Sequence, residues 1–126
     1  MKYLNLKVLN DTYQVVKLEP NDNLPKDIFN REFYSITKTE EEISVVASSK
    51  IAIQSNYIEN GWKIIKISGM LDFELIGVLS EISKILADNK ISIFVMSTYN
   101  TDYILIKEQS LNKAMQALTN NNYSFE

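Results

Sequence analysis

Two short polar turns carry most of the residues in this chain that could do chemistry. The first runs from Ser68 to Phe73 and brings Gly69, Met70, Leu71 and Asp72 to the start of an apolar, helix-like run. The second, Ser97 to Asp102, sets Ser97, Thr98, Tyr99, Thr101 and Asp102 between two strand-like segments. Hydroxyls can donate or accept, and a carboxylate accepts strongly from an ammonium group. Free N–H groups at a helix start can hold an acid group. Together these groups could form a site. Capping alone accounts for the position of Asp72, and its second oxygen leaves it able to serve a ligand as well. Asp102 fits a turn former and an ammonium acceptor equally.

What is missing narrows the chemistry further. The sequence has no cysteine and no histidine, which removes thiolate nucleophiles, disulfides, the commonest general base and the commonest transition-metal ligand. No paired acid and base, phosphate loop or metal-ligand spacing can be assembled. The expectation is therefore no catalysis, no metal and no cofactor. A net charge of −3 without a basic stripe makes a nucleic-acid partner unexpected. No apolar run approaches the roughly 20 residues that cross a bilayer, and MKYLNLKVLN alternates like a strand rather than a leader. A cytoplasmic protein without membrane contact is the expectation.

The elements that position the two turns are well marked. Trp62–Ser68 reads as a strand. Asp72 then predicts a helix over 73–87, with Leu71 and Ile76 at staple positions, Glu74 in the first turn, and Leu75, Val78, Leu79, Ile82, Ile85 and Leu86 on one stripe. Gly77 lies off that stripe, inside the helix, where a missing side chain would let a ligand or partner approach. Strands follow over 91–98 and 103–107. Ser110 is placed to cap a second helix with Leu111, Ala114, Met115 and Leu118 inward, and Tyr123–Phe125 closes the set. The order is βαββαβ, an α+β ferredoxin-like plan. In the strand 91–98, Ile91, Ile93 and Val95 share one face while Phe94 and Met96 make the other apolar too, so the second face requires a cover.

Before Trp62 the pattern is strand-rich. Strands are expected over 3–9 and 12–18, joined as a hairpin at Asn10-Asp11, then over 33–38 and 43–48, with a helical turn after Pro25. Thr39–Glu42 has the form of a capping box, but the β-branched ISVVAS that follows favours a tight turn and a strand. From 49 to 61 only Ile51, Ile53, Tyr57 and Ile58 offer anchors, and Asn60-Gly61 signals a turn. The expected organisation is a strand-rich subdomain, 1–61, packed against a βαββαβ unit, 62–126.

The stretch GMLDFELIGVLSEISKILADNKISIFVMSTYNTDYILIK, with FYSITKTEEEISVV before it, resembles small tandem ACT-domain proteins. These are relatives of aspartate-kinase regulatory domains and of the CASTOR arginine sensors. The resemblance covers about residues 33–118, and Met70 and Ile76 depart from it where such proteins often carry Pro and Thr. It implies that 1–61 is a degenerate ACT-like half. It also implies a non-catalytic regulatory module that binds an amino acid at an interface between ACT units, as a homodimer or with a regulated enzyme. Mapped here, the implied ligand residues are Gly69, Met70, Leu71, Asp72, Phe73, Ile76 and Gly77, with Ser97, Thr98, Tyr99 and Asp102. The competing expectation is an assembly module that dimerises through Phe94 and Met96 without a small ligand.

Overall fold

The computed structural model describes residues 5–68 and 77–126. The chain divides into two compact units, one of residues 1–10 with 63–126 and one of residues 11–62.

In the first of these, strand β5 (Tyr57–Ser68) contributes its C-terminal half. It is followed by α1 (Val78–Asp88), β6 (Ile93–Ser97), β7 (Asp102–Lys107), α2 (Leu111–Asn120) and β8 (Ser124–Phe125). The N-terminal strand β1 (Asn5–Val8) joins the same unit. It runs antiparallel to β5, with Asn5 opposite Ser68 and Val8 opposite Ile65, and parallel to β8. The strand order is β8-β1-β5-β7-β6. The βαββαβ order expected from periodicity is present, with β1 inserted between its first and last strands.

One face of this sheet, lined by Leu6, Ile65, Ile67, Ile104 and Ile106, packs on Ile82 and Leu86 of α1 and on Ala114 and Leu118 of α2. Val78, Leu79 and Ile85 flank that core, as the helical stripe predicts. Ile64 and Leu105 point the other way and are also fully buried. Tyr123 is buried beside the helices, and its hydroxyl donates to Glu81 Oε1 of α1 at 2.8 Å. That burial, with Glu81 adjacent, pushes the phenol well above its usual range. Asn122 leaves α2 at φ +72°, the left-handed exit expected of the asparagine run. Ser110 departs from expectation, because a short 3₁₀ turn (Glu108–Ser110) leads directly into α2 and its side chain makes no cap bond. Met115 is only half-buried, and Ala117 takes the buried place beside Leu118.

In the unit 11–62, β2 (Tyr13–Leu18), β3 (Tyr34–Lys38) and β4 (Ile43–Ser48) join the N-terminal half of β5 in the order β3-β4-β2-β5. The β3–β4 turn is closed by Thr39, whose Oγ1 accepts from the N–H groups of Glu41 and Glu42. The capping-box residues thus close a hairpin rather than open a helix. A 3₁₀ turn, Lys26–Asn30, brings Ile28 onto Val16, Leu18, Ile43, Val45, Ile51 and Ile53. The buried Gln14 amide donates to the carbonyls of Ser48 at 2.9 Å and Ile51 at 2.7 Å, which fixes the path after β4.

Four expectations are corrected here. The hairpin over 3–18 does not form. β1 pairs with 65–68 and β2 with 57–62 of the same strand, and Asp11 instead accepts from Thr12 N and Ser48 Oγ, the latter bond holding its carboxyl below the usual range. Residues 1–10 therefore fall with 63–126 and not with the first half of the chain. Tyr57 and Ile58 are exposed rather than anchoring, and Asn60-Gly61 is not a chain reversal but a bulge within the twelve residues of β5. Gly61 sits at φ +78°, and one extra residue opposes β2 there. A Cβ at Gly61 would meet nothing within 4 Å, so conformation alone demands glycine. Gly61→Ala is expected to lower stability by about 1–2 kcal/mol, seen as a lower midpoint in urea unfolding. An unchanged midpoint would mean that the bulge is not held in this conformation.

Candidate functional site

The turn between β6 and β7 is built from its own polar residues. Ser97 and Asp102 face each other at the end of the β6–β7 ladder, and Ser97 Oγ donates to Asp102 Oδ1. Thr98 N donates to Thr101 O at 2.8 Å, and Thr98 Oγ1 donates to the same carbonyl at 3.1 Å. Thr101 N returns a bond to Thr98 Oγ1 at 3.3 Å. Tyr99 at the tip is fully exposed. The hydroxyls of Ser97 and Thr98 thus shape the turn before they can serve any ligand. What the turn still presents is the second oxygen of Asp102, the Tyr99 ring and its phenol.

Thr101 ties this turn to the rest of the unit. It is buried, and its Oγ1 donates to the carbonyl of Ile67 on β5 at 2.6 Å. Ile67 lies two residues before Gly69, so the bond holds the 97–102 turn at the C-terminal end of β5. Sequence reasoning had counted Thr101 only as a hydroxyl near the ligand. Its burial, one residue before β7, shows in the structure and carries no separate signal in the sequence.

Of the residues expected on the other side of the site, Gly69, Met70, Leu71, Asp72, Phe73 and Ile76 lie outside the described residues, as do the Asp72 cap and the Leu71–Ile76 staple. Gly77 is described, and it corrects the expected helix over 73–87. It is exposed, stands at φ +87° and precedes α1, whose first backbone bond runs from Glu81 N to Gly77 O at 2.9 Å. A right-handed helix cannot pass through that conformation. The glycine is therefore a backbone requirement, and among the described residues a Cβ there would again meet nothing within 4 Å. Among the described residues there is no group of three or more acids that could hold a metal ion, and no helix long and apolar enough to cross a membrane.

Comparison with known proteins identifies this arrangement. A family model described as the ACT domain matches residues 57–120. The chain belongs to the ACT domain family. ACT domains are regulatory, non-catalytic domains with the ferredoxin-like α+β fold seen here. A second family model, for an N-terminal domain, matches residues 11–52. A crystal structure of a protein from Agobacterium tumefaciens superposes with a TM-score of 0.91 at 29% identity, covering 100% of this chain and 94% of that one. A C-terminal regulatory domain of aspartate kinase from Porphyromonas gingivalis is similar in fold, with a TM-score of 0.59, 18% identity and coverage of 94% and 96%. Aspartokinase III of Escherichia coli, solved with aspartate and ADP, shares the fold over 94% of this chain but 32% of its own, at 15% identity and a TM-score of 0.63. No curated protein sequence matches the chain.

Thr101→Val keeps the shape of the side chain but removes the donor to Ile67. It is expected to cost about 1–3 kcal/mol, read as an earlier urea midpoint, whereas Thr98→Val, at an exposed site, should cost less. Equal losses for the two would show that Thr101 is not the tether of the turn.

Proposed function

We propose that this ACT protein is an amino-acid sensor that regulates an enzyme. Its ligand is an amino acid or a similar small zwitterion, held at the end of β5 between the 69–77 segment and the 97–102 turn. In this reading Asp72 and Asp102 receive the ammonium group and backbone N–H groups of 69–77 receive the acid group. Gly69, Met70, Leu71, Phe73 and Ile76 shape the near wall, with Gly77, Ser97, Thr98 and Tyr99 around them. The observation that supports the reading is the Thr101–Ile67 bond, which ties the 97–102 turn to the C-terminal end of β5. Family membership supports the regulatory class, and the absence of histidine and cysteine supports a role without catalysis. The likeness to aspartate-kinase regulatory regions supports a cytoplasmic enzyme as the regulated partner and residues 11–62 as a diverged ACT-like half. As in tandem ACT sensors of the CASTOR type, a homodimer would bring a second ACT unit to the ligand.

A second reading draws on β6, which pairs only with β7 among the described residues and leaves Phe94 and Met96 half-buried. In that reading the chain is an assembly module that dimerises through this strand and binds no small ligand.

One experiment separates the two. Ligand-free protein is screened against the free amino acids by thermal unfolding. Sensing requires at least one to raise the midpoint by several degrees, since a hundredfold excess over Kd adds about 2.7 kcal/mol. No shift with any amino acid at millimolar concentration would rule out the sensor and leave the assembly reading.

A further inference from the structure

The unit 11–62 contains an open cavity of about 590 Å³, built wholly from its own residues and separate from the two turns of the ACT reading. Its volume lies within the range of small-molecule sites. The wall is unusual in charge. Lys17, Glu19 and Asp22 all face the same cavity, yet among the described residues neither carboxylate pairs with Lys17. One cation against two anions leaves the lining at a net −1, with its positive and negative groups apart.

The backbone that carries these charges is held in place by the fold. Lys17 lies opposite Tyr57 in the β2–β5 ladder, and its ammonium sits 5.3 Å from the centre of the exposed Tyr57 ring. The backbone beneath is locked by Ser55, whose hydroxyl donates to Lys17 O at 2.6 Å and accepts from Tyr57 N at 3.0 Å. Across the cavity, Glu19 N donates to Asp22 Oδ2 at 2.8 Å and Asp22 N donates to Glu19 O at 3.0 Å, closing a small loop that carries both carboxylates. Lys38 secures that loop by donating to Pro20 O at 2.8 Å. Buried Ile53 supplies an apolar wall and the Asn56 amide a polar one. Opposite charges that line one cavity without pairing present both signs to whatever enters. A molecule carrying a single charge meets one favourable and one unfavourable end, whereas a zwitterion satisfies both.

The geometry points to a second binding site, for a small zwitterion whose ammonium lies at Glu19 and Asp22 and whose acid group lies on Lys17. The site does not depend on the ACT-type reading of the 69–77 and 97–102 turns. Because the cavity is open and its charged groups are exposed, the affinity is modest, with Kd of about a millimolar.

The test is a titration of the ¹⁵N-labelled full chain with three probes of similar size: glycylglycine (a zwitterion), N-acetylglycine (an anion) and glycinamide (a cation). Glycylglycine should move the amide signals of Glu19, Asp22, Ser55, Asn56 and Tyr57, and bind about tenfold more tightly than either singly charged probe. Lys17→Met and Glu19→Gln, both at exposed positions, should each weaken that response several-fold without changing the remaining spectrum. The proposal is overturned by an absence of shifts at these amides at tens of millimolar, by equal responses to the three probes, or by variants that respond as the parent does. Shifts confined to Gly77 and 97–102 would overturn it while leaving the ACT-type site standing.

Discussion

Burial of both faces of β5 from Trp62 to Ile67 is the constraint on which this structure depends. An antiparallel strand with helices on one side ordinarily shows water a polar face. In β5, Ile65 and Ile67 enter the helical core while Ile64, on the opposite face, is equally buried. Each such side chain contributes about 1.5–3 kcal/mol when removed from water, so the strand must be covered on both faces and paired along both edges. β1 and β7 provide the pairing in the unit that contains the helices, and β2 provides it in residues 11–62. The same strand also supplies the Ile67 carbonyl that anchors the 97–102 turn. The requirement that packs the core therefore also anchors the 97–102 turn.

Much of this architecture was legible in the residues. The stripe through Val78, Ile82 and Leu86 and the alternation of Ile104 and Ile106 identify their elements because burial imposes periods of 3.6 and 2. Long-range choices were harder to read. Asn10-Asp11 has the residues of a hairpin turn, but a turn signal reports only local backbone tolerance. Burying Leu6 against Ile65 and Ile67 outweighs it and sends β1 to a partner about 60 residues away. Asn60-Gly61 shows the same limit in another form. A reversal and a bulge both require glycine at positive φ, and only the pairing of 57–62 with β2 distinguishes them. At Gly77, capping signals upstream favoured one uninterrupted helix, while the left-handed glycine places the regular start at Val78.

The candidate site was legible as composition but not as geometry. Ser97, Thr98, Thr101 and Asp102 were recognisable as groups able to meet a zwitterion. Their order of engagement was not, because hydroxyls in a short turn bond to their own backbone first. Ser97 is committed to Asp102 and Thr98 to Thr101, so the turn offers a prearranged Asp102 carboxylate and an exposed Tyr99 rather than a set of free hydroxyls. Prearrangement of this kind lowers the ordering cost that a ligand must overcome. The Lys17–Glu19–Asp22 cavity had no signature in sequence, since its charges come from strand and loop positions that look like ordinary solvated surface.

In the proposed sensor the ACT unit holds an amino acid at the end of β5. A crystal structure grown with the amino acid that most raises the unfolding midpoint tests it most directly. Ligand density is expected to touch both the 69–77 segment and the 97–102 turn, with the ammonium group within hydrogen-bond reach of Asp72 or Asp102. A ligand-saturated crystal in which neither turn touches ligand would contradict it.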